Sequence, residues 1–186
     1  MHMQHATKRW TVDDLAALPD DGNRYEVVDG ELLVTPAPSW DHQRVVGALH
    51  FVLRGYLAGT GIGEAILSPA DVRFGDSLVQ PDLFVVPFVD GRRARPIDTV
   101  IRPLLAIEVL SPGTARHDRF TKRRLYQREK ISEYWIVDLD ARAIERWRPS
   151  DERPELLGER IEWQPTGADE PLLIELEPLF GEIAER

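Results

Sequence analysis

Three side chains carry most of the chemical signal in this 186-residue chain: Asp82, Glu108 and Lys122. Asp82 follows Gln80-Pro81 and opens the apolar run Leu83–Val86, and Glu108 lies near the end of a second run, Leu104–Leu110, that holds no other charge. Short apolar runs bounded by Pro, Gly or Asp read as buried strands. An ionised carboxylate on such a strand is unfavourable unless it is paired or holds a cation. Lys122 follows in a helical pattern, Ala115–Lys130, where Asp118, Lys122 and Tyr126 are spaced i, i+4, i+8 and so share roughly one face. Two acids and a lysine suit a hard divalent cation, Mg²⁺ or Mn²⁺, which takes oxygen ligands and keeps several waters; a strand carbonyl such as that of Val109 is a third candidate ligand. Such an ion polarises a phosphodiester and lowers the pKa of a bound water. A nearby ammonium stabilises the charge that then builds up.

Each of these residues also has a plainer reading. Asp82 could cap a strand entry, Glu108 could belong to a structural ion pair, and Lys122 could be a solvated helix lysine paired with Asp118. His42 and His50 lack a His, Cys or carboxylate at zinc spacing, so they read as ordinary helix residues rather than ligands. Tyr126, Tyr134 and Trp135 read as core. Ser111 has no GxSxG context. The stretch Gly59–Gly63 lacks the lysine and the strand-to-helix order of a phosphate loop.

The elements that must position these groups follow from turn and periodicity signals. Tyr25–Val28 and Glu31–Thr35 flank Asp29-Gly30, a hairpin signature. Ser39 or Asp41 can cap a long helix from His42 to about Ala58, whose apolar positions recur at helical spacing. Glu64–Leu67 and Ala70–Phe74 read as strands, Gly75–Val79 as a turn, and Asp90–Thr99 as a surface loop. Thr114 caps the basic helix. Glu133–Asp138 is a further strand, and Ile144–Arg148 reads as the edge of the sheet. Glu155–Trp163 and Leu172–Leu176 read as strands and Glu177–Ile183 as a terminal helical turn. Thr11 caps a short N-terminal helix that Pro19 ends. The expected architecture is one α+β (α/β) domain over 1–186: a mixed sheet flanked by helices, with an N-terminal hairpin, a core over about 11–150 and extra C-terminal strands over about 151–186.

The length suits one substantial core. No apolar run approaches the roughly 20 residues of a membrane span, and no apolar leader opens the chain, so a cytoplasmic protein without membrane contact is expected. The absence of cysteine excludes disulfides, thiolate metal sites and cysteine nucleophiles. The net charge of −9 argues against a whole-surface grip on nucleic acid. Residues 113–130, however, hold seven basic and two acidic side chains, and Arg92, Arg93, Arg95 and Arg102 add a second basic group. A local basic patch on an acidic body points to a confined anionic site.

The order strand-PD, strand-E, helix-K resembles the PD-(D/E)xK nuclease superfamily. More narrowly, RYEVVDGEL, QPD, IEVLSP, the D-x-x-x-K of DRFTK and YQREKISEYWIVD resemble one bacterial family of restriction-endonuclease-like proteins, over about Thr11 to Ile183. The resemblance implies a restriction-endonuclease-like fold and a magnesium-dependent hydrolase, an endonuclease cleaving DNA. It implies Asp82 as the metal-binding acid of the PD motif and Glu108 as the second acid. Position 110, where the superfamily places its lysine, is Leu110, and Lys122 matches a lysine migrated to the following helix. Glu26 matches an upstream metal- or water-binding acid, with Glu31 the competitor. Gln80, Arg116, Arg119 and Arg123 are the candidate nucleic-acid contacts. A non-cutting nucleic-acid-binding or regulatory module on the same fold is the alternative, and a glycosidase-like acid–base pair a third. The large residues of Ile144–Trp147 and Trp163 suggest a homodimer.

Overall fold

The computed structural model describes residues 8–93 and 102–184, with side chains through residue 181. Arg95, and the Arg-rich loop beyond Arg93, lie outside the described residues. Among the described residues the first element is a 3-10 turn, Asp13–Ala17, where the sequence predicts a short helix; Thr11 N and Oγ1 both donate to Asp14 Oδ2 at 2.8 Å. The hairpin β1 (Arg24–Val28) and β2 (Glu31–Thr35) turns at Asp29 and Gly30, with φ of 53° and 87°. Two positive φ values in a two-residue loop match the right-handed twist of the strands. Helix α1 (Trp40–Thr60) starts at Ser39, whose Oγ accepts from His42 N at 3.2 Å. It ends at Gly61, whose φ of 67° supplies the left-handed C-terminal turn.

Four strands follow: β3 (Gly63–Leu67), β4 (Val72–Phe74), β5 (Ser77–Val79) and β6 (Leu83–Pro87). The expected turn at Gly75–Val79 is thus half strand. Then come β7 (Leu105–Val109), a π-helical turn His117–Lys122 running into α2 (Arg123–Arg128), β8 (Glu133–Asp138) and β9 (Ala143–Trp147). The C-terminal part holds β10 (Glu155–Leu157), β11 (Arg160–Trp163), β12 (Leu172–Glu175) and α3 (Leu176–Ala184).

A six-stranded mixed sheet, β10-β9-β8-β7-β6-β3, forms the centre, and only β7 and β8 run parallel, joined by the helical crossover. A four-stranded sheet β2-β1-β5-β4 and a two-stranded β11-β12 complete the architecture. Two sequence expectations change here. Strand β9 is interior, because β10 pairs along it, and the run Glu155–Trp163 divides between two sheets. Trp163 is 1% exposed, with its ring between Tyr56 and Trp135 at centroid distances of 5.9 and 6.3 Å. Neither stretch is a free apolar surface, so the basis for a dimer through them is gone.

Side-chain alternation divides the central strands between two cores. Leu83, Val85, Leu105, Ile107, Val109, Trp135 and Val137 pack toward α1, α3 and β11-β12. Phe84, Val86, Ala106, Tyr134 and Ile136 face the four-stranded sheet and α2. Strands covered on both faces read as continuous apolar runs, as these do. No described helix is long and apolar enough to cross a membrane. Because Trp163 ties the C-terminal strands to α1, Trp163→Ala is expected to destabilise the protein by about 3–5 kcal/mol. Urea unfolding measures this; a change below about 1 kcal/mol would show the C-terminal unit to be dispensable for the core.

Candidate active site

The same alternation places the acids. Glu108 shares the face of Ala106, Asp82 that of Phe84, and Glu26 that of Val28. The antiparallel register pairs Leu83 with Ile107; one step further, Asp82 stands across from Glu108. Val109 N–H donates to Asp82 Oδ2 at 2.9 Å, tying the two strands together at this point. Lys122 closes the group from the π-helical turn. Its ammonium is 2.8 Å from Glu108 Oε1, 2.9 Å from Glu26 Oε2 and 3.7 Å from Asp118 Oδ1, and the residue is only 2% exposed. The solvated-lysine reading of Lys122 is therefore wrong.

Other expected residues take definite places. Gln80 donates its backbone N–H to Glu26 Oε1 at 2.7 Å and its side-chain amide to Asp71. Glu31 lies outside the cluster, 3.8 Å from His117 Nδ1. Arg119 is bound to Asp138 and Glu145 at 2.7 and 2.6 Å, and Arg123 lies over the Trp147 ring at 4.7 Å. Arg116 is exposed. The basic helix thus neutralises much of its own charge within the protein.

Two members were missed from sequence. Arg24 Nη1 donates to Asp82 Oδ1 at 2.9 Å, and His42 Nε2 lies 3.0 Å from Asp82 Oδ2, so His42 does have a carboxylate partner. Arg24 sits two residues before Glu26 on β1, so strand alternation alone puts both on one face. No comparable local signal marks His42. Tyr126, read as core, also donates to Glu108 Oε1 at 3.3 Å.

Electrostatics follow from burial and crowding. Burial disfavours the charge on Lys122, but Glu108, Glu26 and Asp118 outweigh it and hold the ammonium well above the ordinary lysine value. Burial pushes Glu108 well up; Lys122 offsets only part of this, and Asp82, Asp118 and Glu26 add to it. Asp118 is raised for the same reasons, burial first. For Asp82, burial is overcome by the His42 hydrogen bond and charge, by Arg24 and by Val109 N–H, and its carboxyl lies well below the usual range. Four carboxylates therefore meet two permanent cations.

The donor set fits a hard divalent cation. All four acids offer oxygen, the ligand atom such an ion takes. Among the described residues, five buried side-chain polar atoms lack a directed hydrogen bond, and four belong here: Arg24 Nε, Glu26 Oε2, His42 Nδ1 and Asp118 Oδ1. In this arrangement no three acidic or histidine side chains already surround one point among the described residues, because the heads of Lys122 and Arg24 stand between them. Beside the cluster opens a cleft of about 1480 Å³ lined by Arg24, His42, Gln80, Asp82 and the turn after β7. Among the described residues its lining includes six aspartates, Asp20, Asp41, Asp71, Asp82, Asp138 and Asp140, and two arginines, Arg24 and Arg119; Asp41 is paired with Arg44 at 2.7 Å. Of Arg116, Arg119 and Arg123, Arg119 lines this cleft.

Lys122→Met is expected to destabilise the protein by about 3–5 kcal/mol at pH 7, since it leaves buried carboxylates facing one another. The raised Lys122 pKa makes its contribution fully present below the unfolded value of about 10.4 and lost only above it. In the mutant the acids' folded pKa values rise, so the deficit shrinks as pH falls toward about 4. Urea unfolding at pH 7 and 5 tests this, and an equal deficit at both would contradict it.

The family model Uma2, described as "Putative restriction endonuclease", matches residues 12–184. A solved structure described as a "putative nuclease belonging to DUF820" from Anabaena variabilis ATCC 29413 superposes with a TM-score of 0.75 at 25% identity, covering 92% of this chain and 98% of that one. No curated protein matches. The fold is that of a nuclease-like protein, and the chain belongs to the Uma2 family.

Proposed function

We propose that the protein is a metal-dependent endonuclease that hydrolyses DNA phosphodiesters at the Asp82–Glu108–Lys122 cluster. The observation that carries this reading is the convergence of two acids on adjacent strands with a buried ammonium 2.8 Å from one of them. Asp82 and Glu108, with Glu26 as a further oxygen donor, would hold Mg²⁺ or Mn²⁺. Bound there, such an ion supplies Lewis-acid polarisation of the phosphodiester and a more acidic water.

The protein's own groups supply position and charge. Lys122 holds Glu108 and Glu26 in place through its ammonium and offers positive charge to the phosphoryl oxygens as charge develops on them. Tyr126 fixes Glu108 Oε1, while His42 and the Val109 N–H fix the plane of Asp82. The open cleft gives a strand access to Asp82. Its aspartates repel phosphate, which supports a reaction that needs added divalent cation.

Nicking of supercoiled plasmid in Mg²⁺ or Mn²⁺ tests the reading. Asp82→Asn and Glu108→Gln are expected to lower the rate by well over about a hundredfold, the upper range for outer-shell partners. Unchanged nicking in both folded variants, or full activity in chelator, would refute it.

The second reading, a nuclease-fold module that binds without cutting, is favoured by one feature: both Asp82 oxygens are already engaged. Calorimetry with Mn²⁺ separates the two, since the non-cutting module shows no binding that depends on Asp82 and Glu108.

A further inference from the structure

Asp82 accepts three hydrogen-bonding groups: Arg24 Nη1 on Oδ1 at 2.9 Å, and His42 Nε2 and Val109 N–H on Oδ2 at 3.0 and 2.9 Å. A carboxylate so occupied cannot also ligate an ion through both oxygens. Ligation through both oxygens requires a donor to leave, and the three are not equally free. The Val109 amide is part of β7. The His42 ring is buried in the first turn of α1, which Ser39 caps. Arg24 lies at the start of β1, on the cleft wall, with its side chain 17% exposed. Among the described residues its other contacts are the Ser68 hydroxyl at 3.1 Å and a distant Glu26 Oε2 at 3.9 Å, with Glu108 attracting it through space, and its Nε has no hydrogen-bond partner.

A guanidinium is a planar fork of donors that suits a carboxylate and a phosphate equally well. We propose that Arg24 is an exchangeable cation: it neutralises Asp82 while the ion is absent and transfers to a backbone phosphate of the bound strand when the ion takes Asp82. The proposal rests on the metal-dependent reading above and adds a role for a residue outside the expected triad. It gives the acidic cleft a way to acquire a phosphate contact only in the ion-loaded state. It also couples the two ligands: whatever draws Arg24 away from Asp82 favours the ion, and the reverse.

Two measurements on the full chain, neither reading turnover, test it. By calorimetry with Mn²⁺ alone, Arg24→Gln is expected to bind the ion about tenfold more tightly than the unaltered protein, because a competitor for Asp82 is gone. Affinity unchanged or weaker in folded R24Q overturns the exchange and leaves the nuclease reading standing; no Asp82-dependent Mn²⁺ binding in either protein overturns both. In metal-free buffer, Asp82→Asn should release Arg24 and tighten duplex binding by about threefold or more. The double variant D82N/R24Q, which removes both charges and so guards against a fold lost through one unpaired partner, should lose that gain. Retention of the gain in the double variant would show that phosphate does not use Arg24.

Discussion

The site depends on one buried ammonium. Lys122 stands 2% exposed among three carboxylates, and its ammonium bridges Glu26 and Glu108 at 2.9 and 2.8 Å, so the two acids stay close together in a dry interior. An unpaired ion is expelled from such a position or gives up its charge. Here the ammonium keeps its charge because the acids outweigh burial, while Glu108 is pushed toward its protonated form by the same crowding. The fold around it can be understood as the means of bringing three acids from three places in the chain to one lysine, with Asp82 held beside them by Arg24 and His42.

Those means are geometric. Period-two alternation puts Glu26, Asp82 and Glu108 on the faces turned toward the helical crossover, and the register of β6 with β7 sets two of them opposite each other. The crossover then delivers its lysine from a π-helical turn, in which Arg123 N–H bonds back to Asp118 O. Such turns are rare and frequently found at functional sites. Here the turn sets Asp118 and Lys122 together at 3.7 Å, with Tyr134 bonded to the Asp118 carbonyl at 3.2 Å.

Much of this was legible in the sequence where the signal is local. Apolar runs gave β6, β7 and β8 nearly residue for residue, and Asp29-Gly30 gave the hairpin. Asp82 and Glu108 stood out because charge on a buried run is unfavourable without a partner, and Lys122 because it shares a helical face with Asp118 and matches the family's migrated lysine. What failed was long-range pairing. Arg24 and His42 meet Asp82 across 58 and 40 residues, and periodicity carries no information at such separations. The division of Glu155–Trp163 between two sheets escaped because β-type residues continue on both sides of Gly158. The basic helix misled for a related reason: a charge run shows its sign but not its partners, and Asp138, Glu145 and Asp29 take up Arg119 and Arg128.

That internal neutralisation changes how binding of a polyanion must be understood. A protein that holds DNA by a basic surface gains affinity by releasing counterions wherever it lands. This cleft, walled by six aspartates and two arginines, has no such general attraction. On the proposed reading, attraction arises at the cluster, where an ion held by Asp82 and Glu108 would add positive charge. Such an ion would shift the local field toward positive in a low-dielectric pocket, where each added charge counts for far more than on the surface. The acidity of the walls then serves discrimination rather than affinity. On that reading it would keep phosphate away from an unloaded site and leave the ion-loaded cluster as the place in the cleft where a phosphodiester gains more than it loses.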